Sequence, residues 1–168
     1  RPIGTVAFLF TDVEGSTAAW EAEPAAMAEA VARLGRILDK ASPSGHRAME
    51  QGGGDSAVIA FDRASDAAAS AVAAARAIAA ENWSTDQPLR VRMALHVGEV
   101  GLDEDGCYRG PTMNRCGRLL AAAHGGQIVA SGPFVALIRE QEAAVADLPS
   151  QLSWTDLGDH HLRGIDAP

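Results

Sequence analysis

The sequence predicts an α/β (α+β) sandwich, with a ferredoxin-like βαββαβ core, a largely antiparallel sheet and additional C-terminal elements. Two observations lead to this fold class. Strands are predicted at about 3–10, 46–51, 56–62 and 89–97, where the sequence shows apolar runs in the first and third segments and alternation in the last. Ala-rich amphipathic stretches of helix length lie between them, at about 18–40 and 63–81. We expect the helices to cover one face of the sheet.

Turn and cap signals mark where these elements begin and end. The strands on either side of Gly52-Gly53-Gly54 should pair as a hairpin around Asp55. The next helix should begin near Arg63, with Asp62 as a candidate N-cap. Pro111 predicts the start of a helix that ends near residue 123. Shorter elements should follow: a strand at Gln127–Ser131, a helix at Gly132–Arg139, and strands at Trp154–Leu157 and His160–Arg163.

Length and charge limit the classes of function. A chain of 168 residues is long enough for one domain with a sizeable core, which we assign to residues 1–168. A formal charge of −8 argues against general binding of nucleic acid or of an anionic membrane. No apolar stretch is long enough to span a bilayer. A start at Arg1-Pro2 and an end at Ala167-Pro168 are typical of a domain excised from a longer multidomain protein.

Cysteine usage indicates a cytoplasmic location. Cys107 and Cys116 do not form a disulfide framework or a metal site, which fits a reducing compartment. We expect Cys116 to lie in the core. His96, near the end of a predicted strand, is also predicted to be structural.

The first motif follows the first strand. The apolar run Val6–Phe10 leads to Thr11-Asp12-Val13-Glu14-Gly15-Ser16-Thr17. This pattern can deliver one Asp to a turn whose backbone N–H groups face an anion. A hard cation such as Mg²⁺ prefers a carboxylate and shares its other positions with water and phosphate oxygens. The alternative is that the acid is only the N-cap of the next helix.

A second motif brings a second carboxylate to a neighbouring strand. Asp55 follows three glycines, which suggest a tight turn with positive φ, and it precedes the apolar run Ala57–Phe61. A plain hairpin turn is the alternative. Two acids at the ends of neighbouring strands predict a site for two divalent metals, which serve phosphoryl transfer.

A third motif identifies a family. In Tyr108-Arg109-Gly110-Pro111-Thr112-Met113-Asn114-Arg115-Cys116-Gly117-Arg118-Leu119, the residues Asn114 and Arg118 are four apart and should share one helix face. With these three motifs in this order, the chain resembles the catalytic domain of class III nucleotidyl (adenylyl/guanylyl) cyclases of bacterial, actinobacterial type. The resemblance runs from about Val6 to about Gly164.

The resemblance implies a role for each motif residue. Two Mg²⁺ or Mn²⁺ ions would be held by Asp12 and Asp55, with the Val13 carbonyl as an extra ligand. Asn114 would orient the ribose, and Arg118 would stabilise charge on the five-coordinate phosphorus. The triphosphate would contact the backbone around four residues of the first motif and a basic residue near the end of the chain: Glu14, Gly15, Ser16, Thr17 and Arg163. For Arg163 a solvated charge is an equal alternative.

The sequence departs from the family at the positions that select the purine. Adenylyl cyclases of this type usually carry Lys where Gln51 stands, and Asp or Thr where Cys107 stands. A Gln amide can donate and accept, so it could reach either purine. Cys behaves mainly as a small hydrophobe. We therefore expect weak purine selectivity and low activity; a shifted alignment would instead bring Asp105 near the base.

Our first hypothesis is a divalent-metal-dependent adenylyl cyclase that converts ATP, with some use of GTP, to 3′,5′-cyclic AMP and pyrophosphate. The resemblance implies a head-to-tail homodimer in which the metal carboxylates come from one subunit and the Asn and Arg from the other. The alternative is a degenerate nucleotide-binding and dimerisation module that regulates fused domains. A purely structural dimerisation domain is the third hypothesis. None involves a nucleic acid, or a membrane in this domain.

Overall fold

The computed structural model describes residues 1–51, 54–144 and 152–164, with backbone alone at 49–51 and 142–144. The strands are β1 (Gly4–Val13), β2 (His46–Gln51), β3 (Ser56–Phe61), β4 (Val91–Val100) and β5 (Ile128–Ala130). The helices are α1 (Ser16–Ala22), α2 (Pro24–Ala41), α3 (Ala64–Ala79), α4 (Pro111–Ala122) and α5 (Gly132–Ala144). None of the helices in the described ranges combines the length and apolarity that a bilayer crossing requires.

The strands form one sheet in the order β2-β3-β1-β4-β5. Every neighbouring pair is antiparallel except β4 and β5, which are parallel. This mixed α+β architecture confirms the predicted fold class, including the largely antiparallel sheet. β1 lies in the middle, where Val6–Phe10 is buried throughout. A continuous apolar run suits a central strand, because both of its faces are covered.

Helices pack on both faces of the sheet, so the prediction of helices on one face is wrong. On one face, Ala7 and Leu9 of β1 join a core formed with α2, α3 and α5. On the other face, Phe8 and Phe10 join a core that includes Cys116 of α4. Side chains alternate along a strand, so an unbroken apolar run in β1 puts apolar groups on both faces, and both must be buried.

The predicted first helix is two helices. α1 ends at Ala22 and α2 begins at Pro24, which occupies its first position. Proline has no N–H to donate and restricts the residue before it, so it begins a new helix rather than continuing the old one. The predicted Asp62 cap is also wrong, because Arg63 is the N-cap residue of α3 and no side chain caps that helix.

The two predicted C-terminal strands do not form within residues 152–164. Local hydrogen bonds take their place: the Asp156 carboxylate accepts the Gly158 N–H at 2.8 Å, and His160 Nε2 lies 2.9 Å from the Leu157 carbonyl. Short polar side chains of this kind compete with sheet ladders for the backbone. Trp154 instead packs its ring edge-on against Phe134 of α5. That helix is five residues longer than predicted, ending at Ala144.

Candidate active site

Asp12 lies inside β1, two residues beyond the predicted end of the strand. It pairs with Ser56 on β3 and with Arg92 on β4. By strand alternation its side chain shares the α4 face of the sheet with Phe8 and Phe10. The alternative interpretation of Asp12 as a helix cap does not apply, because the N-cap residue of α1 is Gly15.

Asp55 lies in the turn directly before β3. Its carbonyl accepts the Val13 N–H at 3.2 Å, so the turn is joined to the end of β1. Gly54 has a φ of +78°, as predicted for a glycine in this turn, whereas Gly52 and Gly53 lie outside the described residues. Because Ser56 is the partner of Asp12, the chain brings the two acids to the same end of neighbouring strands.

Arg92 forms an ion pair with Asp12 that the sequence analysis missed. Its Nε and Nη2 donate to Asp12 Oδ2 at 2.9 and 2.6 Å. The two side chains are 30% and 22% exposed, so water screens the pair only in part. Alternation within β4 could have placed Arg92 on a polar face, but only the register to β1 reveals its partner.

The oxygen donors at these strand ends fit a hard divalent cation whose remaining coordination positions are filled by a bound ligand and water. Two carboxylates, Asp12 and Asp55, and the Val13 carbonyl are oxygen donors of the type that Mg²⁺ and Mn²⁺ accept. The described part of the chain holds no group of three or more His, Cys, Asp or Glu side chains placed to bind a metal. Phosphate and water oxygens would therefore have to complete the coordination, and the metal sites remain a prediction.

The segment after β1 turns sharply into α1. Gly15 has a φ of +72°, in the left-handed region that favours glycine. The Glu14 N–H donates to the Arg90 carbonyl at 2.9 Å and is not available to a ligand. At the start of α1 the N–H groups lack partners within the helix, as at any helix N-terminus. Of the predicted triphosphate loop, the backbone of Gly15, Ser16 and Thr17 thus remains as a candidate.

α4 exposes the two residues that the third motif singled out. Thr112 and Cys116 are buried against the sheet, and Thr112 Oγ1 donates to the Glu99 carbonyl at 2.8 Å. Asn114 and Arg118 are exposed, as expected for one helix face turned away from the core. Within a single chain this face is available for a partner.

Gly164 lies beside this helix. A Cβ at that position would lie 3.9 Å from Arg118 Nη2, so the preceding residue, Arg163, is also near α4. Arg163 is exposed. Its role as a triphosphate contact remains a prediction.

The two positions predicted to select the purine lie on separate elements. Gln51 is the last residue of β2, and its side chain lies outside the described residues. Cys107 is in the loop between β4 and α4, where its N–H donates to Asp103 Oδ1 at 2.8 Å. That bond and the neighbouring Arg109 guanidinium hold the pKa of Asp103 below its usual range. The role of both positions in purine selection remains a prediction.

His96 and Cys116 are structural, as predicted. His96 is 6% exposed, and its Nδ1 lies 2.8 Å from Ser131 Oγ. Burial, and then the positive charge of Arg115, lower the pKa of His96. Cys116 is fully buried, which raises the pKa of its thiol.

Relatives of the chain include adenylate cyclases. The chain is 42% identical over 169 residues to uncharacterised proteins of Mycobacterium tuberculosis and Mycobacterium bovis; the match covers 99% of this chain and 54% of those proteins. The chain thus spans about half the length of these relatives. It is 28% identical over 215 residues to an adenylate cyclase of Podospora anserina, with 99% of this chain and 10% of that protein covered. No protein-family model matches the chain.

Solved structures with the same fold are nucleotide cyclases. A Trypanosoma brucei adenylate cyclase in its monomeric state has a TM-score of 0.84 and 26% identity, with 100% of this chain and 88% of that chain covered. The guanylate cyclase domain of RhGC from Catenaria anguillulae, in complex with GTP, has a TM-score of 0.71 and 19% identity, with 81% and 82% covered. The chain therefore has the fold of the class III adenylyl and guanylyl cyclase catalytic domains, and its structural neighbours and distant relatives are such nucleotide cyclases.

Proposed function

We propose that the chain is a divalent-metal-dependent nucleotide cyclase domain that converts ATP to 3′,5′-cyclic AMP and pyrophosphate. The observation that carries the proposal is the β1–β3 register. It pairs Asp12 with Ser56 and so brings Asp55, the preceding residue, to the same end of the sheet. The relatives named adenylate cyclase support ATP over GTP as the main substrate.

The reaction is an internal displacement at the α-phosphorus. The ribose 3′-hydroxyl gives its proton to solvent water and its oxygen bonds to the α-phosphorus, while the bond from the α-phosphorus to the bridging oxygen breaks and pyrophosphate leaves with the electron pair. Two divalent cations held by Asp12 and Asp55 would lower the pKa of the attacking hydroxyl and neutralise the charge of the phosphates. Arg118 would stabilise charge on the five-coordinate phosphorus, because a guanidinium is always charged and donates in a fork. Asn114 would orient the ribose.

The site is proposed to form between two copies of the chain. Asn114 and Arg118 lie on a face of α4 that is exposed in the single chain. A head-to-tail homodimer would join Asp12 and Asp55 of one subunit to Asn114 and Arg118 of the other, giving two equivalent sites.

Purine selectivity is proposed to be weak. The Cys107 thiol lies 3.9 Å from the Asp105 carbonyl. A thiol donates and accepts poorly, so it discriminates less between adenine and guanine than a carboxylate does. Some use of GTP and a low turnover follow from this substitution.

One observation favours the second candidate function, a nucleotide-binding module without turnover. The Asp12 charge is already compensated by Arg92, so this carboxylate has a positive partner without a cation. Such a module would bind nucleotide and regulate fused domains through dimerisation.

A turnover assay separates the two functions. The purified dimer is incubated with Mn²⁺ and with ATP or GTP at high protein concentration, and cyclic product is measured. We expect the natural chain to produce cyclic AMP and Asp12→Ala to produce none. Asp39→Ala is the control and should retain activity, because Asp39 of α2 also pairs with an arginine, Arg47 of β2, at 2.6 Å but lies outside the proposed site. If neither nucleotide gives a product although binding of the metal–nucleotide complex is confirmed, the domain is a nucleotide-binding module without turnover.

A further inference from the structure

Both carboxylate oxygens of Glu14 are occupied by the chain itself. Oε1 accepts the Gly125 N–H at 3.1 Å, and Oε2 lies 3.3 Å from Arg90 Nε. Arg90 also donates from Nη2 to the Gly125 carbonyl at 3.3 Å, and its own carbonyl accepts the Glu14 N–H at 2.9 Å. Three residues from three distant parts of the sequence thus form a closed set of contacts, which we term the Glu14 clamp.

The clamp leaves no room for a side chain at Gly125. A Cβ there would lie 2.5 Å from Arg90 Cβ and 2.8 Å from Glu14 Oε2. Its φ is not in the left-handed region, so the requirement for glycine at this position is one of space. An exposed ion pair contributes little by itself, and Arg90 is 66% exposed. Backbone hydrogen bonds and close packing must therefore provide most of the free energy that stabilises the clamp.

The clamp joins two elements that serve the proposed chemistry. Glu14 is two residues beyond Asp12 and directly precedes Gly15. Gly125 lies in the loop that follows α4, three residues after Ala122, the last residue of that helix. The next residue of that loop, Gly126, donates its N–H to the Val91 carbonyl at 2.9 Å, which ties the loop to β4 as well.

We propose that Glu14 is a positioning residue that fixes α4 relative to the end of β1. This inference rests on the proposed function. In a head-to-tail dimer, the end of β1 and α4 of one chain serve different sites. The clamp would therefore fix the position of the metal-binding residues that a chain gives to one site relative to Asn114 and Arg118, which the same chain gives to the other site. Glu14 would act through the position of α4 and not as a contact of the triphosphate.

A one-site heterodimer tests this inference. One chain carries Asp12→Ala and supplies only Asn114 and Arg118; the other carries Arg118→Ala and supplies only Asp12 and Asp55. Each variant homodimer should be inactive, and the mixed dimer should hold a single working site. Glu14→Ala is then added to the Asp12→Ala chain, where the neighbouring metal half is already disabled.

The clamp predicts a loss of turnover in that dimer of roughly tenfold or more, because small misplacements of catalytic groups are costly. Glu14→Gln in the same chain should retain most of the turnover, since its amide oxygen can still accept the Gly125 N–H. Unchanged turnover with Glu14→Ala, or a loss only when Glu14→Ala is in the other chain, would overturn the inference. If the mixed dimer made no product even with Glu14 intact, the proposed function would fail instead.

Amide exchange supplies a readout that needs no turnover. Glu14→Ala should speed exchange of the Gly125 N–H and of the last turn of α4 by about tenfold, and Glu14→Gln should not. The matched control is Glu81→Ala, because Glu81 also accepts a backbone N–H, from Asn82 at 3.0 Å, and pairs with an arginine, Arg33, at 2.9 Å. Exchange in α4 that stays unchanged in Glu14→Ala would exclude the clamp.

Discussion

Arg92 donates two hydrogen bonds to a single carboxylate oxygen of Asp12, at 2.9 and 2.6 Å, across the β1–β4 register. The proposed metal carboxylate is thus held by a guanidinium of the chain itself. A divalent cation that binds Asp12 approaches this fixed positive charge. Arg92 and the cation would therefore repel each other and compete for the Asp12 carboxylate.

We predict that Arg92→Met tightens Mn²⁺ binding in the absence of nucleotide. Removing a partly exposed positive charge beside the cation should be worth about 1 kcal/mol, which is about fivefold in affinity. Calorimetric titration of the purified protein with Mn²⁺ measures this change.

The control for this prediction is Arg109→Met. Arg109 pairs with Asp103 in the loop between β4 and α4, so its loss should leave Mn²⁺ affinity unchanged. Weaker or unaltered Mn²⁺ binding by Arg92→Met would mean that Asp12 is not a metal ligand or that Arg92 does not compete for it.

The docking of α4 predicts a sensitive glycine in β4. A Cβ at Gly98 would lie 2.7 Å from both Cγ2 and Oγ1 of Thr112, which is buried at the start of α4. Gly98→Ala should lower the free energy of unfolding by about 1–3 kcal/mol through overpacking. Gly101→Ala, where nothing lies within 4 Å, should change it by about 0.5 kcal/mol or less. Denaturant unfolding distinguishes the two, and equal effects would contradict the contact.

Restoring polar groups at the purine-selecting positions should raise activity. Gln51→Lys with Cys107→Asp is expected to increase turnover of ATP and to raise the ATP-to-GTP ratio of kcat/KM by at least about tenfold, because buried donors and acceptors reject the wrong base. Either single variant should do less, since the unmatched charge lacks its partner. If the double variant changed neither quantity, these two positions would not line the purine pocket.

His96 predicts a loss of stability at mildly acidic pH. Burial lowers its pKa in the folded chain, so the unfolded chain takes up a proton first as the pH falls below about 6.5. The contribution of neutral His96 is complete above that pH and declines as the pH decreases toward the folded pKa. Thermal unfolding between pH 7 and 5 should show a steeper decline for the natural chain than for His96→Gln. Parallel curves would exclude His96 as the cause.

Local sequence patterns were enough to predict most of the elements. The apolar run of β1, the positive φ of Gly54 before Asp55 and the Pro111 start of α4 each depend on a few neighbouring residues, and each prediction is confirmed by the structure. The single long first helix was wrong although its signal was also local, because Pro24 begins α2. The two C-terminal strands were wrong because their few apolar residues did not outweigh the local turns around Asp156 and His160.

Residue patterns were sufficient to identify the candidates for the site: Asp12 and Asp55 at strand ends, and Asn114 and Arg118 on one face of a helix. The neighbours of these residues depend on the folded chain and could not be predicted from local patterns. Arg92 meets Asp12 across 80 residues, and Glu14 meets Gly125 across 111. Such contacts depend on strand register, in which a shift of one residue would move each side chain to the opposite face of the sheet. Register is set by packing both faces of β1 at once, and that packing is a property of the whole fold.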